Sequence, residues 1–168
     1  MPIDPFPDAE AQCTELAGLI RSRLKPGTLL VGIHSGGAWI ARRLAELLPL
    51  PGEIGLIDVS FYRDDYGEKG LHPHVKPTSI PFDIENRPLI LVDDVLYTGR
   101  TTRAAINELF DYGRPASVSL AVLADRGGRE LPVYAEFCVW RVELDPREEL
   151  ILEPGADEKL RWRLEKHA

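Results

Sequence analysis

The sequence has little cysteine, no long apolar run and no excess of basic residues. Its 168 residues include only Cys13 and Cys138, too few for a disulfide framework and without the spacing of a metal site. No apolar stretch reaches the roughly 18 residues that a membrane-spanning helix needs. Residues 1–8 are acidic and interrupted by proline, unlike a secretory signal. These absences predict a cytoplasmic protein without a membrane association.

The excess charge is negative. Twenty-seven Asp and Glu residues outnumber 20 Lys and Arg residues, which gives a formal net charge of −7 and a pI of about 5.1. Because affinity for RNA depends on basic residues that neutralise phosphates, this balance disfavours RNA binding. The candidate arginines for a local basic face are scattered among acids; they are Arg21, Arg23, Arg42, Arg43, Arg141, Arg147, Arg161 and Arg163.

Apolar periodicity predicts alternating helices and strands. The predicted helices are 8–24, with Asp8 as the cap, 38–48 and 102–112. The predicted strands are 28–33, 54–61, 89–92, 117–123, 134–139 and a short last one, 150–152. Such alternation indicates an α/β fold with a mostly parallel sheet and helices on both faces. The polar stretch 63–81, rich in glycine and proline, is predicted to be a functional or disordered loop.

The most informative segment, residues 89–102, is an apolar strand followed by two carboxylates and a glycine turn that opens a helix. In strand–loop–helix units, phosphates bind beyond the strand, at the N–H groups of the helix start. The residues in this place are Thr98, Gly99, Arg100, Thr101 and Thr102. Asp93 and Asp94 would repel a phosphate, but they suit ribose hydroxyls, directly or through a divalent cation. This layout is typical of a site for a phosphorylated sugar.

The loop of residues 34–37, His-Ser-Gly-Gly, is a second candidate anion site. It also precedes a predicted helix, and its glycines allow close approach of the backbone. An ordinary interpretation stays open for both sites: a solvated pair of carboxylates, a threonine-rich helix cap and a structural His34. The spacing does not fit the Gly-x-x-x-x-Gly-Lys loop or the dinucleotide-binding turn.

These residues resemble those of a known superfamily. Residues 92–101 are similar to the phosphoribosyl pyrophosphate (PRPP) motif of type I phosphoribosyltransferases. Three more segments, 60–65, 113–117 and 123–132, are similar to the PyrR family, which combines uracil phosphoribosyltransferase activity with attenuation of pyrimidine operons. The resemblance extends from about residue 29 to about residue 137 and then weakens.

The resemblance implies an architecture. It is the type I phosphoribosyltransferase fold, in a single domain of residues 1–168. Residues 63–81 would form a flexible lid over PRPP, and residues 125–168 with the N-terminal segment would form a small hood. A homodimer or a higher homo-oligomer is also implied.

The resemblance also implies roles for individual residues. Asp93, Asp94 and Arg63 are the catalytic candidates, and the two aspartates would contact Mg²⁺ mainly through PRPP hydroxyls and water. The predicted PRPP-binding residues include Val95 and Tyr97. The others are Thr98, Gly99, Arg100, Thr101 and Thr102 at the 5′-phosphate, Ser35, Gly36 and Gly37 at the pyrophosphate, and Asp125, Arg126 and Arg129 near the base and the pyrophosphate. An alternative for the last group is a turn paired internally by Asp125 and Arg126.

The implied reaction joins uracil to PRPP and gives UMP and pyrophosphate, with UMP-responsive RNA binding as an implied second role. Two alternatives stay open: a phosphoribosyltransferase for another base, and a regulator that senses PRPP or UMP with little catalysis. Both the acidic charge and the sequence after Phe137, which lacks the family's Gly-Lys-x-Ile-Pro-Thr-Ser type of segment, weigh against RNA binding.

Two single residues depart from related sequences. Gly36 stands where many family members carry an arginine, so that charge contact is either missing or supplied by Arg42 or Arg43. Tyr97 stands where purine-specific enzymes of the superfamily have an acidic base. A tyrosine, with an ordinary pKa of about 10, is a poor base at neutral pH. The sequence therefore assigns no group that removes the proton from uracil.

Overall fold

The computed structural model describes residues 5–50, 52–59 and 78–168. Its elements are α1 (Ala9–Arg21), β1 (Leu29–Ile33), α2 (Gly36–Leu47), β2 (Gly55–Ile57), β3 (Pro88–Leu96), α3 (Arg100–Leu109), β4 (Ser117–Asp125), β5 (Phe137–Arg141), β6 (Glu148–Pro154) and β7 (Leu160–Lys166). Arg63 and most of the predicted loop 63–81 lie outside the described residues. No helix in the described part of the chain is long and apolar enough to cross a bilayer.

The central sheet has five parallel strands in the order β2-β1-β3-β4-β5. This confirms the predicted parallel sheet. Strands β1 and β3 are neighbours, so the loop that follows β1 and the turn that follows β3 lie side by side at the carboxyl edge. Ligands of open α/β sheets bind at this edge. The topology therefore brings the two candidate anion sites together.

Each face of the sheet has its own core. Ile90 and Val92 of β3 belong to the core that includes α1 and α2, whereas Leu89 and Leu91 belong to the core that includes α3. This division follows from the two-residue period of a strand, which sends successive side chains to opposite faces. The prediction of helices on both faces is confirmed.

Strands β6 and β7 form an antiparallel hairpin outside the central sheet. Its buried apolar residues are Leu150, Leu152, Leu160 and Trp162. Two polar contacts tie it to α1: Trp162 Nε1 donates to Gln12 Oε1 at 2.6 Å, and the N–H of Leu160 donates to Glu10 Oε2 at 2.8 Å. Helix α1 is thus the support on which the hairpin rests.

Several predicted boundaries are wrong. Strand β3 does not end at residue 92 but continues through both aspartates, because Asp93, Val95 and Leu96 pair with β4. The predicted last strand, 150–152, is longer and is followed by β7. Helices α1 and α3 end three residues earlier than predicted, α2 and α3 begin two residues earlier, and β5 is shifted toward Arg141. Apolar patterns locate elements well, but pairing and capping set their ends.

Candidate active site

The two adjacent aspartates lie near the carboxyl end of β3. Asp93 is buried, and one of its oxygens, Oδ1, accepts a hydrogen bond from the N–H of Asp94 at 2.9 Å. Asp94 Oδ1 accepts from the N–H of Val95 at 2.8 Å. These local bonds orient both carboxylates. The second oxygen of Asp94, Oδ2, lies against the 34–37 loop.

Two glycines of this loop permit that close approach. A Cβ atom on Gly36 would lie 2.4 Å from Asp94 Oδ2, and one on Gly37 would lie 2.1 Å from the carbonyl oxygen of Val92. Both distances are far shorter than van der Waals contact, so a side chain at position 36 requires the Asp94 carboxylate to move, and one at position 37 requires a shift of the β3 backbone. The predicted pyrophosphate loop and the aspartate pair therefore adjoin each other.

The missing charge at Gly36 is not supplied by Arg43. The guanidinium of Arg43 is bound to Glu10, with Nε 2.8 Å from Oε1, and it also donates to the carbonyl oxygens of Trp39 and Glu158. The sequence-based suggestion of Arg43 is thus wrong because the side chain fastens α2 to α1 and to the turn before β7.

The predicted phosphate turn begins helix α3 in the expected way. Gly99 is the cap residue, with a positive φ of 96° that suits glycine, and Thr98 Oγ1 accepts from the N–H of Arg100 at 3.2 Å. The carbonyl oxygen of Thr98 accepts from the N–H groups of Glu130 and Leu131, both at 3.0 Å. The first turn of any helix leaves N–H groups without intrahelical partners, and the helix dipole favours an anion there.

The arginines predicted near the base and the phosphates are engaged by protein groups. Arg129 Nη2 lies 2.7 Å from Asp125 Oδ2, and its Nη1 donates to the carbonyl oxygen of Tyr97 at 2.5 Å. Arg100 pairs with Glu130. The turn that follows β4 is thus paired internally, as the alternative interpretation proposed, but the partner of Asp125 is Arg129 and not Arg126.

Arg126 instead joins the turn after β4 to the C-terminal part of the chain. Its Nη1 donates to the carbonyl oxygen of Glu148 at 2.8 Å and its Nη2 to that of Asp145 at 3.2 Å. Its Cζ lies 3.9 Å from the centroid of the Tyr97 ring, within cation–π range. On another side of the ring, a Cβ on Gly128 would lie 2.5 Å from Tyr97 Cε1. The Tyr97 ring is therefore tightly fixed.

A cavity of about 380 Å³ opens beside the aspartate pair. The predicted site residues that line it are Asp93, Asp94, Val95, Tyr97, Thr101 and Arg126. Those that do not line it are Ser35, Gly36, Gly37, Thr98, Gly99, Arg100, Thr102, Asp125 and Arg129. Gly36 nevertheless adjoins the site through Asp94, and Asp125 and Arg129 support Tyr97.

Sequence reasoning missed the opposite wall of the cavity. Its residues are Pro146, Arg147, Glu148, Glu149, Leu150, His167 and Ala168. No motif marks them, and they are distant in sequence from the aspartates. Besides the hood that the resemblance implies, the available signal was the strict alternation of apolar and charged residues in 160–165, which is typical of a half-buried strand.

The donor set fits a magnesium ion held jointly with a substrate. In residues 5–50, 52–59 and 78–168, no group of three or more His, Cys, Asp or Glu side chains is arranged to hold a metal. Asp93 and Asp94 offer the carboxylate oxygens that Mg²⁺ prefers, but Mg²⁺ takes six ligands and usually keeps waters and substrate phosphates among them.

Comparisons with known proteins agree with this geometry. Residues 3–149 match the family described as "Phosphoribosyl transferase domain". The chain is 53% identical over 150 residues to "Bifunctional protein PyrR" of Ralstonia nicotianae, covering 86% of this chain and 85% of that protein. It is 49% identical over 134 residues to the protein of the same description from Nitrosococcus oceani, covering 79% and 75%.

Solved structures share the architecture. A hypoxanthine-guanine phosphoribosyltransferase from Bacillus anthracis superposes with a TM-score of 0.65 over 88% of each chain, at 20% identity. At this identity the likeness supports the type I phosphoribosyltransferase fold alone.

Proposed function

Since the chain belongs to the PyrR family of phosphoribosyltransferases, we propose that it transfers the phosphoribosyl group of PRPP to N1 of uracil. The products are UMP and pyrophosphate. The observation that carries the proposal is that Asp93, Asp94 and Thr101 of the helix start line one cavity large enough for a nucleotide, and that Gly36 adjoins this cavity through Asp94.

The substrate would bind in a single orientation. Its 5′-phosphate would lie at the start of α3, its ribose hydroxyls on Asp93 and Asp94, and its pyrophosphate along residues 34–37. The two aspartates would also hold Mg²⁺ together with PRPP, and the bound ion would neutralise charge on the pyrophosphate. The base would then occupy the part of the cavity between Tyr97 and the C-terminal wall.

The chemistry requires positioning and electrostatic stabilisation. The bond between the anomeric carbon and pyrophosphate breaks, the bond from that carbon to uracil N1 forms, and N1 loses its proton. Positive charge develops on the ribosyl ring in between, and the carboxylates of Asp93 and Asp94 stabilise it.

The direct test is product formation. We expect the purified protein to form UMP from uracil and PRPP with Mg²⁺, measured by chromatography, and to convert cytosine, hypoxanthine and guanine at least tenfold more slowly. Faster conversion of another base would support the alternative phosphoribosyltransferase. Absence of any nucleotide product, with PRPP still bound, would support a sensing regulator.

A second candidate function, RNA-dependent regulation, is favoured by the description of the relatives as bifunctional. The charge distribution offers it little support. Five of the eight candidate arginines form ion pairs within the chain: Arg23, Arg43, Arg147, Arg161 and Arg163. Filter binding of the pyrimidine leader RNA, with and without UMP across a salt series, is the test. Regulation requires binding that UMP strengthens and salt weakens.

A further inference from the structure

The C-terminal wall of the cavity contains a histidine–carboxylate pair that the proposed reaction does not use. His167 Nε2 lies 3.0 Å from Glu149 Oε2, and both residues line the cavity together with Asp94 and Tyr97. The side chains of His167 and Glu149 are 34% and 26% exposed. The pair is therefore accessible from the space in which the base would lie.

The pair is held in place by backbone contacts. The N–H of His167 donates to the carbonyl oxygen of Arg147 at 2.8 Å, and Glu149 lies in strand β6, paired with β7. Arg126 then fixes the start of β6 through the carbonyl oxygen of Glu148 while it stacks on Tyr97. Consequently, the distance between the pair and the Tyr97 side of the cavity is fixed before a ligand binds.

We propose that His167, positioned by Glu149, recognises the nucleobase; this inference rests on the proposed function. A carboxylate only accepts hydrogen bonds, so Nε2 of His167 carries the proton that faces Glu149. In the neutral ring, Nδ1 is then an acceptor. The matching group of uracil is the N3–H, which lies between its two carbonyl groups.

This arrangement selects among pyrimidines. Cytosine has an unprotonated N3, so an acceptor at Nδ1 would face another acceptor and the contact would be lost. An unpaired polar group in a binding site is penalised more strongly than a poorly fitting apolar one. His167 thus favours uracil and leaves N1 directed away, available to the ribose carbon.

The test compares ligands that differ only in the base. Affinities for UMP, CMP and ribose 5-phosphate are measured by calorimetry for the wild type, His167→Ala, His167→Asn and the control Arg161→Ala, an exposed change on β7, the strand that ends just before His167. We expect His167→Ala to weaken UMP binding about tenfold, the value of one hydrogen bond, and ribose 5-phosphate binding less than twofold. In His167→Ala the ratio of the affinity for UMP to the affinity for CMP should therefore be smaller than in the wild type.

His167→Asn separates recognition from structural support, because its amide oxygen replaces Nδ1 as an acceptor. His167→Asn should recover most of the UMP affinity. The KM for uracil should be highest in His167→Ala and close to the wild-type value in His167→Asn, while the KM for PRPP stays constant in both. If His167→Ala lost the same affinity for UMP as for ribose 5-phosphate, or if its affinity for UMP were unchanged, the proposed role of His167 would be wrong. The proposed function would then still stand. A wild type that forms no UMP from uracil overturns the proposed function and this inference with it.

Discussion

The two sides of the cavity are built in different ways. The ribose and phosphate side comes from one short stretch, β3 and the start of α3, with the Gly36 loop packed against Asp94. The base side comes from distant parts of the chain, which Arg126, Gln12 and Glu10 hold together. The first side depends on backbone geometry within the central sheet, whereas the second depends on the docking of a separate hairpin.

Under the proposed function, the difference implies that the two halves of the substrate are recognised independently. The ribose phosphate would bind at adjacent strand ends of the parallel sheet, the edge at which open α/β sheets bind ligands. The base would face a hairpin that lies outside this sheet. Mutations on one side should therefore alter the kinetic constants of one substrate much more than those of the other.

The largest expected effect is on the sugar side, from Asp94→Asn. Loss of the charge should lower kcat/KM for PRPP about 100-fold, since hydrogen bonds to charged groups contribute about 1.5–3 kcal/mol and the transition state adds to this. The melting temperature should change by less than about 2 °C. Calorimetric titration with Mg²⁺ and PRPP gives the affinity. Unchanged PRPP affinity would show that the site has been assigned wrongly.

A smaller effect is expected from Gly36→Ala. Its Cβ would lie 2.4 Å from Asp94 Oδ2, so the carboxylate must move and the KM for PRPP should rise about tenfold. Steady-state kinetics with saturating uracil measures it. Gly18→Ala is the matched control: it lies within α1 with open space around the added Cβ, and it should stabilise the fold by about 0.5–1 kcal/mol without changing either KM. If Gly36→Ala and Gly18→Ala had the same KM for PRPP, the close contact between Gly36 and Asp94 would be contradicted.

On the base side, Gln12→Leu removes the buried acceptor of Trp162 Nε1. We expect the free energy of unfolding to fall by about 1–3 kcal/mol, the cost of a buried unpaired donor. The KM for uracil should rise about threefold while that for PRPP stays constant. Urea denaturation and steady-state kinetics measure the two effects. Thr14→Ala, an exposed change on the same helix, should alter neither the stability nor the KM for uracil. If Gln12→Leu raised the KM for PRPP as well as the KM for uracil, the two sides of the cavity would be coupled.

Near neutral pH the smallest effect concerns Cys13, which lies in the core that includes α1 and the hairpin. Burial raises the pKa of its thiol to about 12 from an ordinary 9.0. The folded protein therefore keeps a proton that the unfolded chain releases, and its stability falls as the pH rises from 9.0 toward 12. At pH 8 iodoacetamide should label Cys13 only after unfolding, as mass spectrometry can show. Faster labelling in Gln12→Leu would indicate that the hairpin has opened.

The ribose and phosphate side could largely be predicted from sequence. An apolar strand, two aspartates and a Thr-Gly-Arg-Thr-Thr turn are adjacent in the chain, and their chemistry follows from that order. The contact between Gly36 and Asp94 could not be predicted, because it depends on which strands are neighbours. The choice of Arg129 as the partner of Asp125 likewise depends on side-chain geometry in the turn.

The base side was less accessible from sequence for two separate reasons. Strand β7 carries an alternating pattern, with Leu160, Trp162 and Leu164 between charged residues, so the strand itself was predictable but overlooked. Its position was not predictable, since the hydrogen bonds of Gln12 and Glu10 to the hairpin join opposite ends of the chain. No local pattern encodes a contact of that kind.

Arg126 anchors the base wall through main-chain oxygens of Asp145 and Glu148, and not through their side chains. Every amino acid carries such an oxygen, so substitutions at 145 or 148 leave both acceptors in place. Side chains of the wall can consequently be exchanged for a different base while its position is retained. For enzyme design, the β6–β7 hairpin is therefore a replaceable specificity module that requires no change in the sugar-binding strand.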